Sequence, residues 1–241
     1  WIKSNGIDAI YEKQKLDEGE LEQVILQIKK KKIDGVNVTV PFKNAVIPFL
    51  DELTVEAENT QSVNTIYLKD NKVIGHNTDI FGFETSMEIS EYNVFNKEVL
   101  ILGAGGVVPS IIFALKKMKV SKIKISNRTK EKAENLKKLF KNIEIIEWGE
   151  IPNFDIIINA TSIGLKKDDY INLDFSLISK NTLFYDVIYN PRETNFLKNG
   201  KRLGSTTLNG KLMFIYQALS AFNIWHGIEP RVNEDVIKLL D

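Results

Sequence analysis

The sequence predicts an α/β fold in two domains, and three observations predict it. Helical periodicities alternate with short apolar runs through the second half of the chain; one such run, EVLILG, ends in a cluster of glycines; and the style of the sequence changes between Asn77 and Phe83, where a strand pair gives way to that run. Alternation of this kind means βαβ units on a parallel sheet with helices on both faces. With 241 residues, the chain is long enough to bury two modest cores.

The elements read in order as follows. Residues 7–11 read as a short strand, and over 17–31 the apolar positions Leu21, Val24, Ile25 and Ile28 recur at helical spacing. Residues 35–40, GVNVTV, read as a buried strand, and Pro41 opens the next helix. TIYLKDNKVIG is a strand pair around a polar turn, followed by a helix over 80–89. Then come a strand at 99–102, a helix to Met118, the strand KIKIS, a helix over 130–140, and short strands at 143–146, 156–159 and 183–188. Helices over 211–225 and 233–240 close the chain.

Lys plus Arg equals Asp plus Glu at 32 each, so no net field draws the protein toward nucleic acid or an anionic membrane. The lysine run at 29–32 is read as the end of the first helix, because cations suit a helix C-terminus. There is no cysteine and there are two histidines, which removes disulfides, thiolate nucleophiles and Cys-based metal sites; no metal is expected. No apolar run approaches a membrane span, and WIKSNGIDAI lacks the apolar core of a secretory signal. The expectation is a cytoplasmic protein that works on a small molecule, with no nucleic-acid or membrane partner. Its chain, which starts at Trp1, is expected to continue upstream.

Gly103, Ala104, Gly105, Gly106 and Val107 directly follow the strand at 99–102 and precede a helix. That is the context of a dinucleotide fingerprint: glycines permit a tight turn and let backbone N–H groups at the helix start approach a pyrophosphate. A plain tight turn would use the same glycines. Val108 stands at the third glycine position, which implies looser helix-to-sheet packing, and Pro109 falls in the first helical turn, where its missing N–H costs little. The next strand ends in Asn127, Arg128 and Thr129, where an NAD enzyme would carry an acid for the ribose hydroxyls; the first acid is Glu131. Arg128 offers a 2′-phosphate a planar, charge-assisted fork, and Lys132 adds a second cation, so the segment points to NADP and a Rossmann-type domain. Thr129 also suits a helix cap, and Arg128 an exposed surface position.

NVTVPFK places Lys43 in the first turn of a helix, where the helix dipole disfavours a cation. A sequence shaped only for stability avoids such a lysine; one that takes or relays a proton has a use for it. Asn77, Thr78 and Asp79 end the strand pair and start a helix, and taken alone Asp79 reads as an N-cap.

NVTVPFK, SVNTI at 62–66, GHNTD at 75–79, the glycine loop, NRT at 127–129, NATSIG at 159–164, YDVIYNP at 185–191 and the late helix with Gln217 fall in order over nearly the whole chain. Together they resemble the shikimate dehydrogenase family. The resemblance implies NADP-dependent, reversible reduction of 3-dehydroshikimate to shikimate by hydride transfer, in aromatic amino acid biosynthesis. It implies a substrate domain over 1–79, completed by helices in 215–241, an NADP-binding domain over 80–214, and an active site between them. By resemblance Lys43 and Asp79 form the catalytic pair, while Thr39, Asn64, Tyr189 and Gln217 bind the ring hydroxyls and carboxylate. Val187 and Gly210 match positions at the nicotinamide end, and Asn159 and Thr161 border the same cofactor. The family also holds the carboxylate with a serine pair before the first helix; the sequence does not contain that pair, so either it lies upstream of Trp1 or the substrate is held more weakly. Where the family has leucine and glycine late in the chain, Lys211 and Leu212 stand. The alternatives are a relative that accepts quinate and a non-catalytic NADP-binding regulatory protein of the same fold; Lys43 together with Asp79 favours the enzyme.

Overall fold

Two sheets, one of four strands and one of six, organise the computed structural model, in which residues 1–166 and 168–240 are described. Internal contacts divide the chain into a first unit, Trp1–Thr78 with Ala218–Asn233, and a second, Asp79–Gln217 with the stretch from Glu234 on. Asp241, the end of the stretch expected to complete the first domain, lies outside the described residues.

In the first unit, α1 (Leu21–Lys29) buries Leu21, Val24, Ile25 and Ile28, the face its period predicts. Strands β1 (Gly35–Asn37), β2 (Glu52–Leu53), β3 (Thr65–Lys69) and β4 (Lys72–His76) form a sheet in the order β1-β3-β4-β2. The pairs are antiparallel except β2 with β4. The hairpin between β3 and β4 turns through Asp70 and Asn71, whose φ angles of 50° and 61° suit a primed turn that follows the twist of the strands. Two short helices, α2 (Phe42–Ala45) and α3 (Val55–Thr60), lie between the strands in sequence. Ile25, Ile28, Val46, Ala57, Val63, Ile66 and Val73 form the core.

Two expectations need correction here. Residues 7–11 form no strand: Ile10 and Tyr11 are exposed, and Tyr11 instead donates its hydroxyl to Asn37 Oδ1 at 2.8 Å and tilts its ring against Trp225. A short apolar run makes a strand only where a neighbour supplies a ladder. The run 35–40 pairs as a strand only over β1, and it is half-buried, with Val40 at 67% exposure, because β1 is an edge with β3 as its sole neighbour.

The second unit opens with α4 (Asp79–Ile89) and continues through β5 (Glu98–Leu102), α5 (Val108–Lys117), β6 (Lys122–Ser126), α6 (Lys130–Leu139) and β7 (Glu144–Ile146). It then runs through β8 (Ile156–Asn159), β9 (Leu183–Asp186), α7 (Asn195–Arg202) and β10 (Thr206–Asn209). Helix α8 (Lys211–His226) passes from this unit into the first, and α9 (Glu234–Lys238) belongs to the second. All six strands are parallel, in the order β10-β9-β8-β5-β6-β7.

Alternate residues of β5 feed opposite faces of this sheet. Val99 and Ile101 join the apolar residues of α4, α5 and α6, while Leu100 and Leu102 join Phe154, Phe175, Phe184 and Phe196. The expected helical cover is thus complete on one face. On the other, α7 is supplemented by irregular chain whose Phe175 stands edge-on to Phe184 and Phe196, at 5.6 and 5.9 Å. Large rings fill volume that a helix would otherwise occupy.

Candidate functional site

The strand order of the parallel sheet reverses at β5. The chain moves outward through β6 and β7, returns to β8 on the other side of β5, and moves outward again through β9 and β10. At such a reversal the carboxyl ends of the central strands leave a crevice that ligands use. Gly103 makes the turn there possible: its φ is 110°, and a Cβ on it would lie 2.8 Å from the Ala160 carbonyl oxygen at the end of β8. Its N–H donates to the Ser126 carbonyl at 2.8 Å, which ties the turn to β6 as well. Beyond it, Ala104 and Val107 are half-buried and Gly105 and Gly106 exposed, so the backbone leading into α5 is accessible. Val108, in the third glycine's place, is fully buried in the core, and Pro109 sits in the first turn of α5.

At the end of β6, Asn127 donates from Nδ2 to the Thr129 carbonyl at 2.8 Å and shapes the approach to α6. Thr129 occupies the N-cap position with an extended backbone, but its side chain makes no capping hydrogen bond. Arg128, Thr129 and Lys132 are all exposed. Among the described residues Arg128 and Lys132 form no ion pair, whereas Lys130 between them in sequence reaches Glu147 at 3.3 Å.

At the ends of β8 and β9 the side chains are polar and buried. Asn159 donates from Nδ2 to Asp186 Oδ1 at 3.1 Å and to the Ile163 carbonyl at 3.1 Å; its Oδ1 accepts from the N–H and hydroxyl of Thr161, at 3.1 and 2.7 Å. Burial pushes the Asp186 carboxyl up to about 6, against hydrogen bonds from Thr194, Ile188 and Asn159 that hold it down. Val187 follows directly, its N–H held by the Asn159 carbonyl at 3.0 Å. Gly210 lies against Val187, and its N–H reaches the Ile188 carbonyl at 3.2 Å. Tyr189 stacks on Phe214 of α8 at 4.5 Å, and Gln217, one turn along α8, donates from Nε2 to the Phe214 carbonyl at 2.9 Å. Gly82 of α4, one turn after Asp79, abuts the backbone of Met213 and Gln217. Asp79 itself is 5% exposed.

Thr39, Lys43 and Asn64 belong to the first unit. Thr39 is exposed, and its carbonyl accepts the Phe42 N–H at 2.9 Å as α2 begins. Lys43 is half-buried, and its carbonyl accepts from the Val63 N–H at 2.8 Å, which joins α2 to the segment before β3. Helix α2 has four residues, so few peptide dipoles align behind Lys43 and the opposing field expected there is weak. Asn64 is 3% exposed, and its Oδ1 accepts the Thr78 N–H at 2.8 Å, the Thr78 hydroxyl at 3.1 Å and the Thr65 hydroxyl at 3.1 Å. Asn77 anchors the same segment, donating to the Thr60 hydroxyl at 3.0 Å and the Ser62 carbonyl at 2.9 Å.

Asn77, Thr78, Asp186 and Thr194 carry buried hydrogen bonds that the sequence pattern does not announce. For Asp186 the available signal was a buried-strand pattern ending in a polar residue, LFYD, as IIIN ends in Asn159. Among the described residues, no group of three His, Cys, Asp or Glu side chains is placed to hold a metal, and no helix is long and apolar enough to cross a membrane.

Comparison with known proteins agrees across the chain. A family model described as the shikimate dehydrogenase substrate binding domain matches residues 1–66, and one described as shikimate / quinate 5-dehydrogenase matches residues 85–194. A curated shikimate dehydrogenase (NADP(+)) from Pelagibacter ubique is 63% identical over 241 residues, all of this chain and 91% of that protein. A crystal structure of a shikimate dehydrogenase in complex with NADP+ superposes with a TM-score of 0.90 at 35% identity, covering 99% of this chain and 86% of the other. The Thermus thermophilus shikimate 5-dehydrogenase in complex with NADP(H) and shikimate superposes with a TM-score of 0.88 at 26% identity, covering 99% and 89%.

Proposed function

The chain belongs to the shikimate dehydrogenase family, and from that premise we propose that it interconverts 3-dehydroshikimate and shikimate by hydride exchange with NADP. One observation carries the reading. Where the parallel sheet reverses, an accessible glycine turn leads into α5, and the loop after the neighbouring β6 carries an exposed Arg128 with no acid before Glu131. These residues fit the cofactor: the backbone at Gly103, Ala104, Gly105, Gly106 and Val107 suits a pyrophosphate, and Arg128, with Asn127, Thr129 and Lys132, suits a 2′-phosphate. Bound there, NADP supplies the acceptor or donor of the hydride. Asn159, Thr161, Val187 and Gly210 are assigned to its nicotinamide end.

In this reading Lys43 takes the proton from the hydroxyl oxygen that becomes a ketone and returns it in the reductive direction. Asp79, an acceptor when ionised, orients that hydroxyl and Lys43 for the transfer. Thr39, Asn64, Tyr189 and Gln217 bind the ring hydroxyls and carboxylate. Stacking on Phe214 fixes the Tyr189 ring, and one Gln217 N–H is engaged by the Phe214 carbonyl, so Gln217 offers its Oε1 and its second N–H. The partners are small molecules without nucleic acid, in keeping with a net charge of zero, and the location in this reading is the cytoplasm.

The test is oxidation of shikimate by the purified chain with NADP, with NAD and quinate as parallel arms. Shikimate with NADP is expected to be the preferred pair. Lys43→Ala should lower kcat by roughly two to four orders of magnitude with NADP affinity nearly unchanged, the range for loss of a positioned acid or base. Absence of turnover in the unaltered protein overturns the reading, and an unimpaired Lys43→Ala variant removes Lys43 from it.

A further inference from the structure

The last row of the parallel sheet is polar where an apolar row would be cheaper to bury. Asn159, Asp186 and Asn209 pair in register at the ends of β8, β9 and β10. Asp186 is wholly buried, and it accepts from three separate pieces of chain: the Asn159 side chain and the Ile188 N–H on Oδ1, at 3.1 and 3.0 Å, and the Thr194 hydroxyl on Oδ2, at 2.5 Å. Thr194 is itself the N-cap of α7, accepting the Leu197 N–H at 3.3 Å. On the other side, Asn159 passes the network on to Thr161, whose hydroxyl accepts the Ile163 N–H at 3.0 Å. A continuous chain of hydrogen bonds thus runs from α7 through β9 to the loop after β8.

The ladder already pairs β8 with β9 along its length, so the sheet does not need this network to form. What the network adds is a fixed relation between two loops beyond the ladder, one carrying Thr161 and the other Val187 and Tyr189. With two acceptor oxygens, the carboxylate satisfies all three converging donors without a proton to place.

We propose that Asp186 is a positioning residue that locks the loop after β8 to the loop after β9 and so sets the alignment of the nicotinamide end of the cofactor. The proposal rests on the assignment of those loops to NADP made above. It predicts a division within the cofactor site: loss of Asp186 disturbs the nicotinamide end and leaves the adenine-phosphate end, on the glycine turn and Arg128, as it was.

The experiment compares Asp186→Ala with Asp155→Ala. Asp155 is a control at the opposite end of the strands, a half-buried carboxylate that accepts from the Lys97 ammonium at 3.1 Å and the Glu98 N–H at 2.9 Å and joins the start of β8 to β5. Each variant is measured for kcat with shikimate, for affinity for NADP, and for affinity for adenosine 2′,5′-bisphosphate, which carries the adenine-phosphate half alone. Asp186→Ala should lose roughly 10- to 100-fold in kcat, the scale of a small misalignment of reacting atoms. It should weaken NADP while binding the bisphosphate as before; Asp155→Ala should keep all three. Thr194→Val, which removes one donor and keeps the carboxylate, should shift kcat in the same direction by several-fold, and it serves where Asp186→Ala does not fold. Unchanged kcat in the folded Asp186 and Thr194 variants, or a parallel loss of NADP and bisphosphate binding, overturns the proposal. If the unaltered protein fails on shikimate, the functional reading falls, and the ratio of the two affinities still decides the positioning role.

Discussion

Gly210 and Val187 approach so closely that a Cβ on the glycine would lie 2.0 Å from the Val187 carbonyl oxygen and 2.5 Å from its carbonyl carbon. Neither backbone is at liberty to retreat. The Val187 N–H is held by Asn159 and the Gly210 N–H by Ile188. Gly210→Ala is therefore expected to destabilise the protein by about 1–3 kcal/mol or more and to weaken NADP binding, because the start of α8 and the loop after β9 must separate. Gly105→Ala is the contrast: the nearest atom to its Cβ is 3.8 Å away, so the fold tolerates it, while the backbone there still faces the proposed pyrophosphate site. Thermal unfolding and NADP titration of both variants check the pair; equal melting temperatures would contradict the packing argument.

Asn64 offers a second test, because a single oxygen serves three donors. Removing it in Asn64→Ala leaves the Thr78 N–H and the hydroxyls of Thr65 and Thr78 without that acceptor, and both threonines are wholly buried. The hydroxyls can rotate toward each other, since they already lie 3.3 Å apart, but the N–H cannot turn. The expected loss is roughly 1–3 kcal/mol for the stranded N–H, read by urea denaturation. Turnover should fall further than stability alone explains, because Thr78 is the residue before Asp79 and Asn64 is itself assigned to the substrate. A variant with native stability and native kcat would strip Asn64 of both roles.

Much of this fold is legible in the sequence where a single local rule decides the outcome. The buried face of α1 follows from the spacing of Leu21, Val24, Ile25 and Ile28, and the hairpin from Asp70 and Asn71, residues that tolerate positive φ. The glycine turn is legible because its neighbours in sequence, a strand and a helix, define its use. Other features depend on partners that the sequence does not place. Residues 7–11 are apolar enough to read as a strand and find no ladder, and the polar TTLN becomes β10 only because β9 stands beside it. The Asp186 network joins residues 27 and 8 positions away, of types that are ordinary singly, so only the parallel register of β8 and β9 discloses it. The shortness of α2 follows from Pro48, which lacks the N–H that would bond the Asn44 carbonyl, so the α-helical ladder gives way to a 3-10 turn over Ile47–Phe49.

Arg128 is exposed and makes no hydrogen bond or ion pair among the described residues, so the fold does not depend on it. Arg128→Gln should accordingly leave the unfolding midpoint unchanged. If the guanidinium meets the 2′-phosphate, two charge-assisted hydrogen bonds disappear, and NADP affinity should fall by about two orders of magnitude while NAD affinity stays constant. Calorimetric titration of the two cofactors against both proteins reads the difference. A parallel change in NADP and NAD affinity would place Arg128 elsewhere on the cofactor.

The buried Asp186 also predicts how stability depends on pH, and the sign is opposite to that of an ordinary paired carboxylate. Burial raises its pKa from 3.8 in the free side chain to about 6 in the fold, more than its hydrogen bonds lower it. Between those values the folded state binds the proton and the unfolded state does not, so stability falls as pH rises through that window. The contribution is fully present below about pH 4 and is lost above about pH 6. The rise from 3.8 to about 6 corresponds to roughly 3 kcal/mol, without a discount for solvent because the side chain is wholly buried. Burial also holds His76 below its ordinary value, which makes its own contribution fall as pH drops, so the raw pH profile mixes opposing slopes. Comparison with Asp186→Asn removes the mixture, because both proteins carry His76 and only one titrates at position 186. The stability of the unaltered protein relative to Asp186→Asn, measured by urea denaturation, should fall by about 3 kcal/mol from pH 4 to pH 7. A difference that stays flat, or rises with pH, would show that the Asp186 hydrogen bonds outweigh its desolvation and that the carboxylate sits in the fold as a stabilised anion.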